Sequence, residues 1–229
     1  MTMIYYRCIY FYIEGGAIVD LSNPVSTIIP KLDGSIYRVL ARTTTPLSGA
    51  RVAALSGRAS YPGILTALSR LVLQGTVLVE PAGSSYMYRA NREHILWPAI
   101  EQAVAAAESV LPTLTLRMSQ LVDERLGAKA SKDSTLAIFG SVARETSTLD
   151  SDLDIVAVFP DYLPEESGSE LVDALSGSAR RWTGNDCNVY VATASRLREL
   201  VEAKDPIVES WSSDAVTFHG VHLQDLLLS

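Results

Sequence analysis

The residues best suited to chemistry lie at 140–155, which read GSVARETSTLDSDLDI. A Gly-Ser pair closes one apolar run, and an acidic pair, Asp152 and Asp154, opens the next. Alternate side chains of a strand share a face, so these carboxylates point the same way, roughly 6–7 Å apart along the chain. Two carboxylates on one face, opposite a turn rich in free backbone N–H groups, suit two divalent cations holding a nucleoside triphosphate. Gly140 lets the backbone approach a phosphate closely. Ser141 can offer its hydroxyl and its N–H to a phosphate oxygen at a helix N-terminus, where the dipole favours anions. Catalysis at such a site is mainly positioning and charge neutralisation in an in-line displacement. Arg144 can reach a phosphate or pair with a neighbouring carboxylate.

These groups need strands on either side of the turn. TLAIFG reads as a buried strand before it, with SVARETS as a short helix or turn. DLDIVAVFP reads as a second strand, apolar on both faces beyond its acidic start and hence central. SGSELVDALSGSARRW then reads as a helix, DCNVYVAT as a third strand and ASRLRELVEAK as a helix. PIVESWSSDAVTFHG adds a short helix and an edge strand.

Residues 34–92 have a different pattern. GSIYRVLART has apolar residues at helical spacing, and SGARVAALSG gives a short second helix. SYPGILTALSRLVLQG gives a third, with Ser60 as N-cap, Pro62 in the first turn and Gly75 as the stop. TVLVEPAGSSYMYRAN alternates around a turn, as a hairpin does. Residues 93–127 read as helical, with Trp97, Ile100, Val104 and Ala107 on one stripe. Pro112 is expected to kink or split that helix, which restarts with Leu114, Met118, Leu121 and Val122 inward. GAKASKDS reads as a turn or linker.

The chain has 229 residues, 48% of them hydrophobic, which fits one large domain or two small ones. Its net charge of -7 taken alone argues against nucleic acid, but the charge is uneven. Residues 34–99 carry +5 and residues 134–229 carry -10, so a basic front and an acidic back suggest two domains with different partners. Cys8 and Cys187 are too far apart in sequence for a disulfide framework or a zinc spacing, and a reducing cytoplasm is the default. Cys187 reads as a small core residue. His94, His219 and His222 are scattered and read as structural or exposed. The opening MTMIYYRCIYFYIEGG is too short to span a bilayer and is interrupted by Arg7. It either adds a strand or marks a start upstream of the true one, and no membrane partner is expected.

The C-terminal hundred residues resemble the minimal nucleotidyltransferase superfamily, which includes polymerase beta-like and kanamycin nucleotidyltransferase-like enzymes. The resemblance rests on Gly140, Ser141, Ala143, Arg144, Ser151, Asp152, Asp154 and Ile155. It implies a nucleoside triphosphate as substrate with Mg²⁺ or Mn²⁺ held by Asp152 and Asp154. Gly140, Ser141, Arg144 and Ser151 are then the nucleotide-binding set. Members that catalyse usually carry a further carboxylate on the third strand. By that register the position falls on Asn188, which cannot act as a base. Asp186 shares its face one pleat earlier, roughly 6–7 Å away. Either Asp186 substitutes as the third catalytic residue beside Asp152 and Asp154, or the acceptor is activated otherwise, or the domain binds nucleotide without turnover.

Residues 34–92 resemble bacterial winged helix-turn-helix regulators, which place the third helix in the major groove and the wing on the backbone or minor groove. The DNA-contacting candidates are then Arg58, Ser60, Tyr61, Thr66 and Arg70, with Ser84, Ser85, Tyr86 and Arg89 on the wing.

The expected fold is a two-domain α+β chain. It has an N-terminal extension (1–33), a winged helix-turn-helix (34–92), a helical connector and linker (93–133), and a minimal nucleotidyltransferase α/β domain with a small mixed sheet (134–229). The expected protein is cytoplasmic. It transfers a nucleoside monophosphate to a hydroxyl of a protein, an RNA or a small molecule, and binds DNA through its first domain. Pairing through the 93–127 helices gives a homodimer. Related minimal domains occur in toxin–antitoxin pairs. The rival expectation is a transcription regulator whose degenerate second domain only binds nucleotide. A scaffold that binds neither DNA nor nucleotide is a third.

Overall fold

The computed structural model describes residues 18–57 and 59–228. The aromatic stretch at 1–16, where an added strand was one expectation, and Arg58 lie outside the described residues. The chain divides into two compact units, one of residues 23–110 and one of residues 111–229 with the segment ending at Ser22.

In the first unit, α1 (Val25–Ile28) and α2 (Lys31–Ala41) precede β1 (Leu47–Ser48), α3 (Gly49–Leu55) and α4 (Tyr61–Leu73). The hairpin β2 (Val77–Ala82) and β3 (Ser85–Ala90) and then α5 (Trp97–Glu108) follow. Ser60 caps α4, its hydroxyl accepting from the Gly63 N–H at 3.3 Å, and Pro62 fills the first turn. Gly75, at φ 78, ends the run where a side chain would be strained. Strand β1 pairs antiparallel with β3, giving a sheet of order β1-β3-β2. The core is built from Ile36, Leu40, Val52, Ile64, Leu68 and Trp97. Helix α5 lays its expected stripe on that core, with Trp97, Val104 and Ala107 buried and Ile100 packed beside them.

Helix α6 (Val110–Lys132) starts at the last residue of the first unit, and all but that residue belongs to the second. The helical run does not break at Pro112. It breaks at Ser109, and Pro112 sits in the first turn of the new helix, where its missing N–H costs nothing. The segment expected as a linker is also partly helical. Gly127, at φ 71 and ψ 166, interrupts α6, which then resumes to Lys132. His219 ties the two parts together. Its Nε2 donates to the Ser131 carbonyl at 3.0 Å, which leaves Nδ1 to accept from the Ser119 hydroxyl at 2.7 Å.

Beyond α6 come β4 (Thr135–Phe139), α7 (Gly140–Ala143), β5 (Leu153–Phe159), α8 (Glu165–Thr183) and β6 (Cys187–Thr193). The unit closes with α9 (Ala194–Glu202), α10 (Pro206–Asp214), β7 (Val216–His219) and α11 (Leu223–Leu227). The sheet order is β6-β5-β4-β7. Strand β4 runs antiparallel to β5 and β7, while β5 and β6 are parallel, so the sheet is mixed. Strand β5 is central, and its residues from Ile155 to Phe159 are all buried. Trp211 of α10 is fully buried against Val156 and Val158. The loop between α7 and β5 is anchored by Ser22, whose Oγ lies 2.6 Å from that of Ser147 and accepts the Ser147 N–H at 2.9 Å.

Candidate active site

The site forms where β4, β5 and β6 end side by side. Phe139, the last residue of β4, pairs with Asp154, and Asp154 pairs on its other side with Asn188 of β6. Leu153, between the two aspartates, points into the core with no exposed surface. Pleating therefore turns Asp152 and Asp154 to the same outer face. Asp152 is exposed and Asp154 half-buried.

Gly140 makes the close approach possible. Its φ is 74, and a β-carbon there would lie 2.8 Å from Asp154 Oδ2. Any larger residue would be strained and would push the carboxylate away. Ser141 follows in the first turn of α7, half-buried, and its carbonyl accepts the Thr146 N–H at 2.8 Å. The leading N–H groups of a helix lack intrahelical partners, so this turn offers donors beside the carboxylates. Ser151 holds the approach to Asp152, its hydroxyl accepting the Thr148 N–H at 2.9 Å.

Asn188 completes the cluster. Its Nδ2 donates to Asp152 Oδ2 at 3.1 Å and to Asp154 Oδ1 at 3.3 Å. Asp186, one residue before β6, lies beside Asp152 in the parallel register of β5 and β6. Its carboxylate pairs with Arg180 at 3.3 Å and is 64% exposed, while its carbonyl accepts the Leu153 N–H at 2.9 Å. Arg144 pairs with Asp214, the last residue of α10. The Asp214 side chain is 6% exposed, and its Oδ1 is buried without a hydrogen-bond partner among the described residues. Sequence reasoning missed this partner, which lies 70 residues away without a local signal. Cys187, the strand neighbour of Asn188, is half-buried on the opposite face. Burial, and then the nearby Asp154 carboxylate, push its thiol up to about 12.

The donor set fits a hard cation. Mg²⁺ is typically bound by one or two carboxylates, with water and substrate phosphates filling the remaining positions. No cluster of three or more His, Cys, Asp or Glu residues able to hold a metal occurs among the described residues.

In the first unit, Tyr61 at the start of α4 and Tyr86 on β3 are exposed. The other DNA-contacting candidates are more engaged. Ser60 is spent on its cap, and the Thr66 hydroxyl donates to the Pro62 carbonyl at 3.0 Å. Arg70 pairs with Asp33, and Arg89 with Glu80 at 3.3 Å. Ser84 and Ser85 are exposed at the tip of the β2–β3 hairpin. The exposed Arg51 of α3 was passed over by sequence reasoning.

Residues 120–218 match the family model for a nucleotidyltransferase domain. That segment contains all the residues converging on the carboxylate pair. Among solved structures, the chain is similar to a mutant of the toxin–antitoxin MntA–HpeT at 14% identity and TM-score 0.34, covering 49% of this chain and 79% of that one. It is similar to a toxin–antitoxin with AMP-PNP at 21% identity and TM-score 0.33, covering 48% of this chain and 78% of that one. A third similarity is to TrmBL2, an archaeal chromatin protein with a novel mode of DNA binding, at 15% identity and TM-score 0.26, covering 79% and 68%. All three superpose loosely, and the family match covers residues 120–218 alone. No curated protein matches the chain. Among the described residues, no helix is long and apolar enough to cross a membrane.

Proposed function

We propose that the second unit transfers a nucleoside monophosphate from a nucleoside triphosphate to a hydroxyl acceptor on a protein, an RNA or a small molecule. The observation that carries this reading is the packing of Asp154 over Gly140, with Asp152 and Asn188 alongside on one face. Asp152 and Asp154 would hold Mg²⁺ or Mn²⁺, which would supply charge neutralisation for the triphosphate. The N–H groups at the start of α7 and the Ser141 hydroxyl bind phosphate oxygens, and Gly140 leaves the backbone close enough for them to do so. Ser151 fixes the loop that delivers Asp152. Arg144 lies one turn from Ser141 and can exchange Asp214 for a phosphate.

In the reaction, the acceptor oxygen forms a bond to the α-phosphorus while the bond to the pyrophosphate oxygen breaks. The acceptor proton passes to solvent or to the Asp186 carboxylate, which lies beside Asp152 and is paired at the surface with Arg180, since Asn188 cannot take it. The main contribution of this chain is orientation and charge neutralisation. The test is pyrophosphate release dependent on divalent cation and acceptor, abolished in an Asp152→Ala, Asp154→Ala double variant.

One observation favours a second reading. The amide at Asn188, where a carboxylate would serve turnover, suits a cytoplasmic transcription regulator that senses nucleotide without consuming it. Metal-dependent nucleotide binding with no pyrophosphate release distinguishes it. In both readings the first unit acts as a winged helix-turn-helix that binds DNA. The +5 charge of residues 34–99 and the exposed Tyr61 and Tyr86 support this role, and a homodimer would present two such units.

A further inference from the structure

Asn188 occupies the third corner of the acidic face. An asparagine amide nitrogen carries two hydrogens, and both are committed here, one to Asp152 Oδ2 at 3.1 Å and one to Asp154 Oδ1 at 3.3 Å. Its carbonyl oxygen, the only atom of that side chain suited to a hard cation, is turned away from the pair. Rotating the amide would set that oxygen against two carboxylates and give up both bonds, so electrostatics fixes its orientation. Asp152 Oδ1 and Asp154 Oδ2 make no hydrogen bond among the described residues, and they remain for a cation.

We propose that Asn188, by bridging Asp152 and Asp154 through its amide, limits the site to one divalent cation, where paired carboxylates alone suggest two. This rests on reading the site as a nucleotide-binding centre. Two carboxylates balance the charge of one divalent ion. A second ion would find an amide where it needs an anionic oxygen, and substrate phosphates and water alone would have to hold it. The neighbouring Asp186 carboxylate is paired with Arg180 at 3.3 Å and makes no bond to Asn188, Asp152 or Asp154 among the described residues. Asn188 is a positioning residue in this account. It orients the two carboxylates by sharing one donor group between them and leaves one oxygen of each for the ion.

The experiment is electron paramagnetic resonance of Mn²⁺ with a non-hydrolysable ATP analogue, on the full chain, its Asn188→Asp variant and the Asp152→Ala, Asp154→Ala control. Asn188 is exposed, so the aspartate is accommodated without repacking. The wild type is expected to give the spectrum of an isolated bound Mn²⁺, and Asn188→Asp that of a spin-coupled pair. A coupled pair in the wild type, or an isolated ion in Asn188→Asp, overturns the inference and leaves the nucleotide-binding reading intact. No bound Mn²⁺ beyond that of the double-alanine control overturns that reading and the inference with it.

Discussion

Asp154 leans its carboxylate over the bare α-carbon of Gly140, with Oδ2 2.8 Å from the point a β-carbon would occupy. One contact thus joins the end of β4 to the start of β5 and sets the distance between the Gly-Ser turn and the carboxylates. Gly140→Ala places a methyl there at φ 74. Strain and the displaced carboxylate are expected to lower stability by about 1–3 kcal/mol. On the proposed function they are also expected to abolish cation-dependent nucleotide binding. Urea denaturation and isothermal titration with a non-hydrolysable triphosphate check both effects, and retained nucleotide affinity in Gly140→Ala would argue against the contact's role.

The Arg144–Asp214 pair is asymmetric, since Arg144 is half exposed and the Asp214 side chain is 6% exposed. Arg144→Ala leaves a buried carboxylate without its cation, whereas Asp214→Asn leaves a guanidinium that water can solvate. Arg144→Ala should therefore be the more destabilising by about 1–3 kcal/mol. Equal losses in denaturant titrations, or a larger loss in Asp214→Asn, would show that the pair contributes through packing instead.

The raised Cys187 thiol gives a pH dependence with a definite sign. Burial holds it protonated to about 12, against an ordinary value of 9.0. The unfolded chain loses this proton first, so the stability contributed by the neutral thiol is complete below pH 9 and declines as pH rises from there towards 12. Cys187→Ser should flatten that part of the stability–pH curve. At pH 8 the native thiol should resist alkylation and react readily only in denaturant, which mass mapping of the modified peptide reads directly.

The first unit should bind duplex DNA with an affinity that falls steeply with salt. Tyr61→Ala and Tyr86→Ala remove exposed phenol hydroxyls able to donate to phosphate without breaking an ion pair, and each is expected to weaken binding about tenfold, the scale of one lost hydrogen bond to a charged group. Arg70→Ala and Arg89→Ala also free Asp33 and Glu80, so they should weaken binding further by adding repulsion near the phosphates. Electrophoretic shifts across a salt series test this. Affinity that is unchanged in both tyrosine variants would place the DNA elsewhere or exclude it.

Local signals made most elements legible in the sequence. Ser60, Pro62 and Gly75 bracket α4 as the capping rules require, and the unbroken apolar run after Asp154 identifies β5 as central. Relationships set by distant partners were not legible. Strand β1 has two residues and exists because β3 pairs with it. Gly127 reads as a linker residue in sequence, yet α6 resumes beyond it where His219 ties Ser119 to Ser131. At the site, the Gly-Ser turn and the acidic pair follow from spacing alone. The Asn188 bridge needed the parallel register of β5 with β6, and the capture of Arg144 by Asp214 needed the tertiary fold.

The central claim is tested most directly by label transfer from α-labelled nucleoside triphosphates with Mg²⁺, using purified protein in host lysate and alone. The expected result is label covalently attached to a protein, an RNA or a small molecule, absent from the Asp152→Ala, Asp154→Ala variant. A wild-type protein that binds the triphosphate through these carboxylates yet transfers no label in lysate would contradict the transferase account and leave a nucleotide sensor.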